Sequence, residues 1–512
     1  MVTEVIGAGI NGIDSYIVKV EVDISDGLPV FELIGLLNSE VREAKERVKV
    51  SLKNCGIYME PKRITINLSP ANIRKEGTGY DLPIAIGMLA GLGYVSKSSL
   101  ENILFVGEIG LNGEIKYIKG VLPITMEAQK RGISTVIVPK GNAKEAAIVK
   151  GMKVVGVRHI EELTKYLNSE NKDELIPPTT ADIDDYLQSD FYNLPDFKDV
   201  SGQEAAKRGL EIAAAGFHNV LMIGPPGAGK SMMAKRLPSI MPKMTLKECL
   251  EVTKIYSVCG LLESDKPLIS TRPFCSPHHT ASYSSMTGGG NSPRPGLISR
   301  SHKGVLFLDE VVHFSSTTLE ILRQPIEDKC IQVTRANWNQ TFPADFMLIA
   351  AMNPCPCGMY PDLNKCNCTP DKIRHYIGKI SGPILDRIDL CIETSKVEIK
   401  DINREGSLSS EVMREQVLKA IEAQKERYKG TDIVFNSSLS AGNIDEYIVL
   451  GKKEKSLMEK VYNKLGLSAR GYHRILKVAR TIADIDGSKD VECKHLLEAV
   501  CYRGVEDKYF NI

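Results

Sequence analysis

A chain of 512 residues, 43% hydrophobic and 25% charged, has the composition of an ordinary folded protein and the length of two or three domains. Its formal net charge of +1 excludes a whole-chain basic field, so contact with nucleic acid must come from a local patch or from loops gathered by assembly. The longest apolar stretch, residues 82–95, has 14 residues and three glycines, too short to span a bilayer; with no apolar leader after Met1, the twelve cysteines are expected in a reducing cytoplasm.

Residues 1–168 mix strand-like and helical runs, as expected of an α+β domain. Residues 15–24 (SYIVKVEVDI) alternate as a half-buried strand does, and 39–54 have helical spacing that stops at Cys55-Gly56. Residues 63–68 (RITINL), 103–108 (ILFVGE) and 135–139 (TVIVP) read as further strands. Residues 169–190 change character. Six acidic residues fall between Asp173 and Asp190 beside a Pro-Pro pair, the signature of an acidic linker.

From 191 to 400, strands alternate with helices, the pattern of a parallel α/β sheet. Residues 220–223 (VLMI) form a short apolar strand running into Gly224-Pro225-Pro226-Gly227-Ala228-Gly229-Lys230-Ser231 and then a helix. Strand, G-x-x-x-x-G-K-S loop and helix together make a phosphate cradle. Backbone N–H groups face the phosphates, Lys230 reaches the outer ones, Ser231 ligates Mg²⁺, and the implied ligand is ATP. Residues 304–308 (GVLFL) end in Asp309-Glu310. Carboxylates at the end of a buried strand suit a cation (Asp309) and an attacking water (Glu310). Residues 346–352 (FMLIAAM) lead to Asn353, whose amide either senses the γ-phosphate or caps a turn.

The run 381–389 (SGPILDRID) puts Arg387 after a turn on a short helix. It can reach a neighbouring subunit's nucleotide, or pair with Asp386 or Asp389. Residues 401–512 are helical. Arg470, Arg474, Lys477 and Arg480 share one helix face; Arg470 reads as a nucleotide-facing lid residue, and a solvated basic face is the reading for most of the four.

Two further clusters stand out. Cys355-Pro-Cys357 and Cys366-Asn-Cys368 are C-x-C pairs eight residues apart, so four thiolates could close a tetrahedral Zn²⁺ site; four free thiols or a labile disulfide is the alternative. His278-His279 precedes Gly288-Gly289-Gly290 and reads as a loop facing a pore or nucleic acid, with a purely structural loop as the alternative.

Taken in order, the motifs resemble AAA+ ATPases, Asp199-Val-Ser-Gly-Gln203 resembling the adenine-side segment of that class. Residues 69–85, 276–282, 304–310, 350–358, 381–390 and 467–484 together resemble the magnesium-chelatase-like YifB/ComM family of bacteria. The resemblance covers essentially the whole chain. It implies an AAA+ P-loop module with a C-terminal helical lid, a hexameric ring, ATP and Mg²⁺, and ATP-driven branch migration of branched or single-stranded DNA in recombination and natural transformation. By the same resemblance Asn353 is sensor 1, Arg387 the arginine finger and Arg470 sensor 2. Val311-Val312-His313 departs from the Leu-Pro-Glu usual in relatives. Residues 107–115 and 131–140 resemble the Lon protease domain, a ribosomal protein S5 domain 2-like fold. Asp81 and Leu122 stand where its serine nucleophile and lysine base are expected, and neither can serve. A non-proteolytic scaffold, DNA-binding face or subunit contact is the resulting expectation. A magnesium-inserting chelatase subunit, an ATP-dependent protease and a non-catalytic adaptor are the competing functions.

Overall fold

The computed structural model describes residues 2–189, 194–290, 293–335, 338–396 and 408–510. Strands β1 (Thr3–Asn11) and β2 (Asp14–Ser25) pair antiparallel from Thr3–Val22 to Asn11–Asp14. The turn between them uses Gly12 at φ +67°, a conformation that costs glycine little. With β3 (Phe31–Ile34), β4 (Arg63–Ser69), β5 (Ile103–Phe105), β6 (Thr135–Pro139) and β7 (Lys153–Val157) they form a seven-stranded mixed sheet in the order β3-β4-β2-β1-β5-β6-β7.

Alternation decides which face is covered. Val18, Val20 and Val22 of β2 and Val5 of β1 pack against α1 (Ser39–Asn54) through Val41, Ala44, Val48 and Leu52, and against α2 (Asp81–Gly91). Helix α2 is apolar all round because it is buried all round, which accounts for the long apolar run. No described helix is long and apolar enough to cross a membrane.

The two positions where a Ser–Lys pair was expected are built for structure. Asp81 is fully buried at the start of α2. Its carboxylate takes two 2.9 Å hydrogen bonds from Arg47 and one from the Ile109 N–H; burial pushes its pKa up, and Arg47 opposes that rise. Leu122, in α3 (Val121–Lys130), lies at the seam with the next unit. It clusters with Ile148 and Val149 of its own unit and with Met244, Cys249, Val252 and Leu268 beyond. Beside it the buried Glu145 accepts from the Leu122 N–H, Asn142 and the Ser257 hydroxyl, so the seam holds a satisfied polar group as well as an apolar patch. The acidic segment is docked too: short helices cover Lys172–Leu175 and Ile183–Ser189, and Ile176 and Ile183 are buried.

The second unit is a five-stranded parallel sheet of β8 (Val220–Ile223), β9 (Phe274–Cys275), β10 (Val305–Leu308), β13 (Met347–Met352) and β14 (Leu390–Glu393) in the order β9-β10-β13-β8-β14. A hairpin, β11 (Cys330–Arg335) with β12 (Trp338–Pro343), is inserted before β13. Strands β8, β10 and β13 are buried on both faces, hence their unbroken apolar runs. Helices α4 (Glu204–Gly216), α5 (Lys230–Arg236), α6 (Leu246–Cys259) and α7 (Pro370–Ile377) belong to this unit. The C-terminal part is helical: α8 (Ser410–Arg427), α9 (Lys452–Leu465), α10 (Ala469–Ile485) and α11 (Cys493–Phe510). Helix α10 buries Ile475, Val478, Ala479 and Ile482 in the core that the sheet shares with α4 and α8. The fold is thus α/β with a helical lid, behind an α+β domain.

Candidate functional site

In a parallel sheet, side chains that meet a ligand gather beyond the carboxyl ends of the strands. Here β8 ends at Ile223, β10 at Leu308 and β13 at Met352, and these neighbours release the phosphate loop, Asp309-Glu310 and Asn353 on the same edge. The phosphate loop turns at Gly227 (φ +77°) and Gly229 (φ +81°) into α5. Gly224 is required by crowding instead: a Cβ there would lie 2.1 Å from Thr394 Oγ1.

Lys230 is folded into its own loop. Its Nζ donates to the Gly224 carbonyl (2.7 Å), the Pro225 carbonyl (3.0 Å) and Asn353 Oδ1 (3.1 Å). Burial lowers its pKa, and the charges of Asp309 and Glu310 oppose the fall. The Ser231 hydroxyl donates to Asp309 Oδ2 at 2.6 Å, and the Glu310 N–H donates to Asp309 Oδ1 at 3.0 Å. A hydroxyl and a carboxylate converging from α5 and β10 form an all-oxygen donor pair, which fits Mg²⁺. Glu310 sits at φ +49°, ψ +50°, a region non-glycine residues seldom occupy.

One member of this cluster escaped the sequence reading. Tyr376, buried near the end of α7, meets the Asn353 backbone N–H and lies in the field of Glu310; burial first, then Glu310, pushes its phenol up to about 12. Val311 and Val312 are core residues, while the exposed His313 puts its ring 6.3 Å from Tyr376 and 6.1 Å from His279. His278 and His279 pack ring on ring at 4.1 Å. Gln203 donates to the Ala228 and Ser395 carbonyls, fastening the segment before α4 to the phosphate loop.

The four cysteines of the 355–368 loop converge. Cys355 and Cys357 Sγ are 3.3 Å apart, Cys355 and Cys366 3.7 Å, Cys357 and Cys366 3.6 Å, and all four Sγ atoms lie within 4.8 Å of one another. Four thiolates around one zinc at about 2.3 Å would stand about 3.8 Å apart, so the cluster fits a Zn²⁺ with small adjustments.

Arg387 and Arg470 are elsewhere. Both line a cleft of about 650 Å³ shared with Glu327, Lys329, His473 and Lys477, to which neither the phosphate loop nor Asp309, Glu310 or Asn353 contributes. Arg387 pairs neither with Asp386 nor with Asp389. Its Nη2 meets Glu327 at 2.6 Å, and its buried Nε finds no acceptor among the described residues. Asp386 is held by Arg474 and Asp389 by His218 and the Asn219 N–H. The solvated basic face expected on α10 is likewise corrected: Arg470 alone is exposed. Arg474 donates to the Leu385 and Ile388 carbonyls, Lys477 to the Ser437 carbonyl, and Arg480 pairs with the buried Asp484. Helical spacing put these cations on one face, and that face points inward.

Comparisons with known proteins give the chain's relatives. Residues 196–402 match the family "Magnesium chelatase, subunit ChlI", residues 20–142 "Subunit ChlI of Mg-chelatase" and residues 407–503 "Magnesium chelatase, subunit ChlI C-terminal". The chain is 41% identical over 500 residues to the competence protein ComM of Haemophilus influenzae, covering 96% of each. It is 40% identical to the protein YifB of Escherichia coli (strain K12), covering 97% of this chain and 96% of that one. A 25% likeness over 31% of the chain links it to the magnesium-chelatase 67 kDa subunit of Chlorobaculum parvum, 23% of which is covered.

Proposed function

The chain belongs to the magnesium-chelatase-like ComM/YifB family of AAA+ ATPases, and from that premise we propose that it hydrolyses ATP in a hexameric ring, as a motor on branched or single-stranded DNA during recombination and natural transformation in the cytoplasm. The observation that carries the ATPase reading is the meeting of Lys230, Ser231, Asp309 and Asn353 at one sheet edge, with Glu310 beside them. When bound, ATP supplies the scissile phosphoanhydride, and Mg²⁺ neutralises charge on its phosphates. Lys230 exchanges the Gly224 and Pro225 carbonyls for phosphate oxygens. Ser231 and Asp309 hold the cation. Glu310 accepts a proton from the attacking water, and Asn353 orients that water.

The separation of Arg387 and Arg470 from this edge supports assembly. Two arginines in one cleft that their own phosphate loop does not line suit the phosphates of an adjacent subunit, where they would stabilise transition-state charge. The DNA partner rests on the likeness to a protein named for competence, and the zinc on the spacing of the four sulfurs. An ATP-dependent protease is disfavoured by Asp81 and Leu122, both committed to packing.

The test is ATP turnover with and without forked or four-way-junction DNA, in the wild type and in Glu310→Gln. Stimulation by DNA that the variant abolishes is the expected result. Turnover indifferent to every DNA tried, with no DNA bound in ATP, would remove the motor and leave the ATPase.

A further inference from the structure

The cysteine loop adjoins Asn353, lies against the phosphate loop and runs into the helix that bears Tyr376. It begins two residues after Asn353, and Cys355 is fully buried there with its Sγ accepting the Tyr360 N–H. Gly358, at φ +78°, lies against the phosphate loop: a Cβ on it would come within 2.4 Å of Pro226 Cδ. Tyr360 packs edge-on against Tyr509 of α11, whose hydroxyl donates to Glu393 at the end of β14 (2.6 Å). At its far end the loop passes into α7, capped by Thr369, and α7 delivers Tyr376 to Asn353 and Glu310.

Little in the loop's own composition can hold that shape. Between 356 and 368 only Gly358 is buried, while Met359 is 41% and Leu363 79% exposed. Fixing each residue's backbone costs conformational entropy, so an excursion of this length needs a cross-link where apolar burial is missing. The converging thiolates are the cross-link available, and a bound metal can supply folding free energy directly.

We propose that one Zn²⁺ on Cys355, Cys357, Cys366 and Cys368 is a positioning device for hydrolysis. With the ion bound, the loop clamps Asn353 and Tyr376 against Glu310 and braces Pro226. Without it, nucleotide still binds but turnover falls. Tyr376 is thereby a positioning residue, acting through Asn353 and Glu310. This rests on the ATPase reading given above.

The experiment uses the full chain purified under reducing conditions. Zinc per protomer is measured by elemental analysis. Then kcat, KM and nucleotide Kd are compared before and after stripping with a zinc chelator, in excess Mg²⁺, and again after Zn²⁺ is returned. One zinc per protomer is expected. Stripping should lower kcat about tenfold or more, the scale on which shells around a metal act, with Kd changed less than about threefold. Added Zn²⁺ should restore the wild type and fail to restore Cys357→Ser. Tyr376→Phe should lose part of kcat at full zinc content and unchanged melting temperature. Full activity in zinc-free protein, or an unchanged kcat after verified stripping, overturns the positioning role and leaves the ATPase standing. A zinc-replete protein with no turnover under any condition overturns the ATPase reading, and the proposal with it.

Discussion

Lys230 and Glu310 do different work although they share one field. Lys230→Ala removes the cation that answers the phosphates, so nucleotide affinity itself should go. Glu310→Gln keeps shape and hydrogen bonding but cannot take a proton; nucleotide binding measured by titration should persist while turnover falls about 10²–10⁴-fold. A second residue-scale prediction concerns stability. Asp345 is half-buried, and that desolvation alone would raise its pKa, but Lys303 at 2.8 Å and Lys329 at 3.2 Å reverse that and hold it at about 2 against an ordinary 3.8. A folded pKa below the unfolded one stabilises above about pH 4 and is lost as pH falls toward 2, a contribution of roughly 2 kcal/mol at neutral pH. Asp345→Asn should therefore lower the melting temperature of the ATPase unit by about 4–8 °C at pH 7, and the gap should close on acidification through that window. The phosphate loop and Asp309-Glu310 were legible because their chemistry needs adjacent residues in fixed order. Tyr376 and the Arg387–Glu327 pair were not, because each joins positions far apart in the chain with no spacing rule between them.

At the scale of elements, β2, β4, β6 and β8 fall within a residue or two of where their patterns put them, whereas the apolar run 103–108 is a strand of this sheet only over Ile103–Phe105. Periodicity does not say what a face packs against. In α3, Leu122 fills the apolar seam against α6 and its neighbours, a partner no local pattern names. Leu122→Ala should cost about 2–5 kcal/mol, as a buried leucine truncation does, and thermal unfolding should show the two units loosening together. Re-creating a serine and a lysine by Asp81→Ser with Leu122→Lys should yield no peptidase activity. It strands Arg47 beside a lost carboxylate and buries an ammonium in the seam, so lowered stability should be its measurable effect. Gly224→Ala tests the strand-to-loop junction. Its Cβ would collide with Thr394, so the phosphate loop must shift, and nucleotide binding should weaken while the melting temperature moves little.

In the proposed ring, the whole molecule carries half of each of two sites. Arg387 and Arg470 line a cleft to which the described residues of the phosphate loop do not contribute. A near-neutral chain does not gather on DNA by bulk charge, so under the proposed function assembly would supply both the complete ATP site and any continuous surface for nucleic acid. Mixing two inactive variants tests this division. Lys230→Ala protomers keep a sound arginine cleft and Arg387→Ala protomers a sound phosphate loop. Co-assembled at equal amounts in random order, they should make about a quarter of the interfaces whole in a closed ring with head-to-tail contacts. ATPase activity should rise in the mixture well above either variant alone, and vary with the mixing ratio through a maximum near equality. Co-assembled rings, verified by affinity capture of one tagged variant with the other, that stay inactive would mean that Arg387 acts inside its own subunit. That outcome would require the arginine cleft to close onto its own phosphate loop, a rearrangement opposed by the bonds of Arg474 to the Leu385 and Ile388 carbonyls, which tie α10 to the turn bearing Arg387.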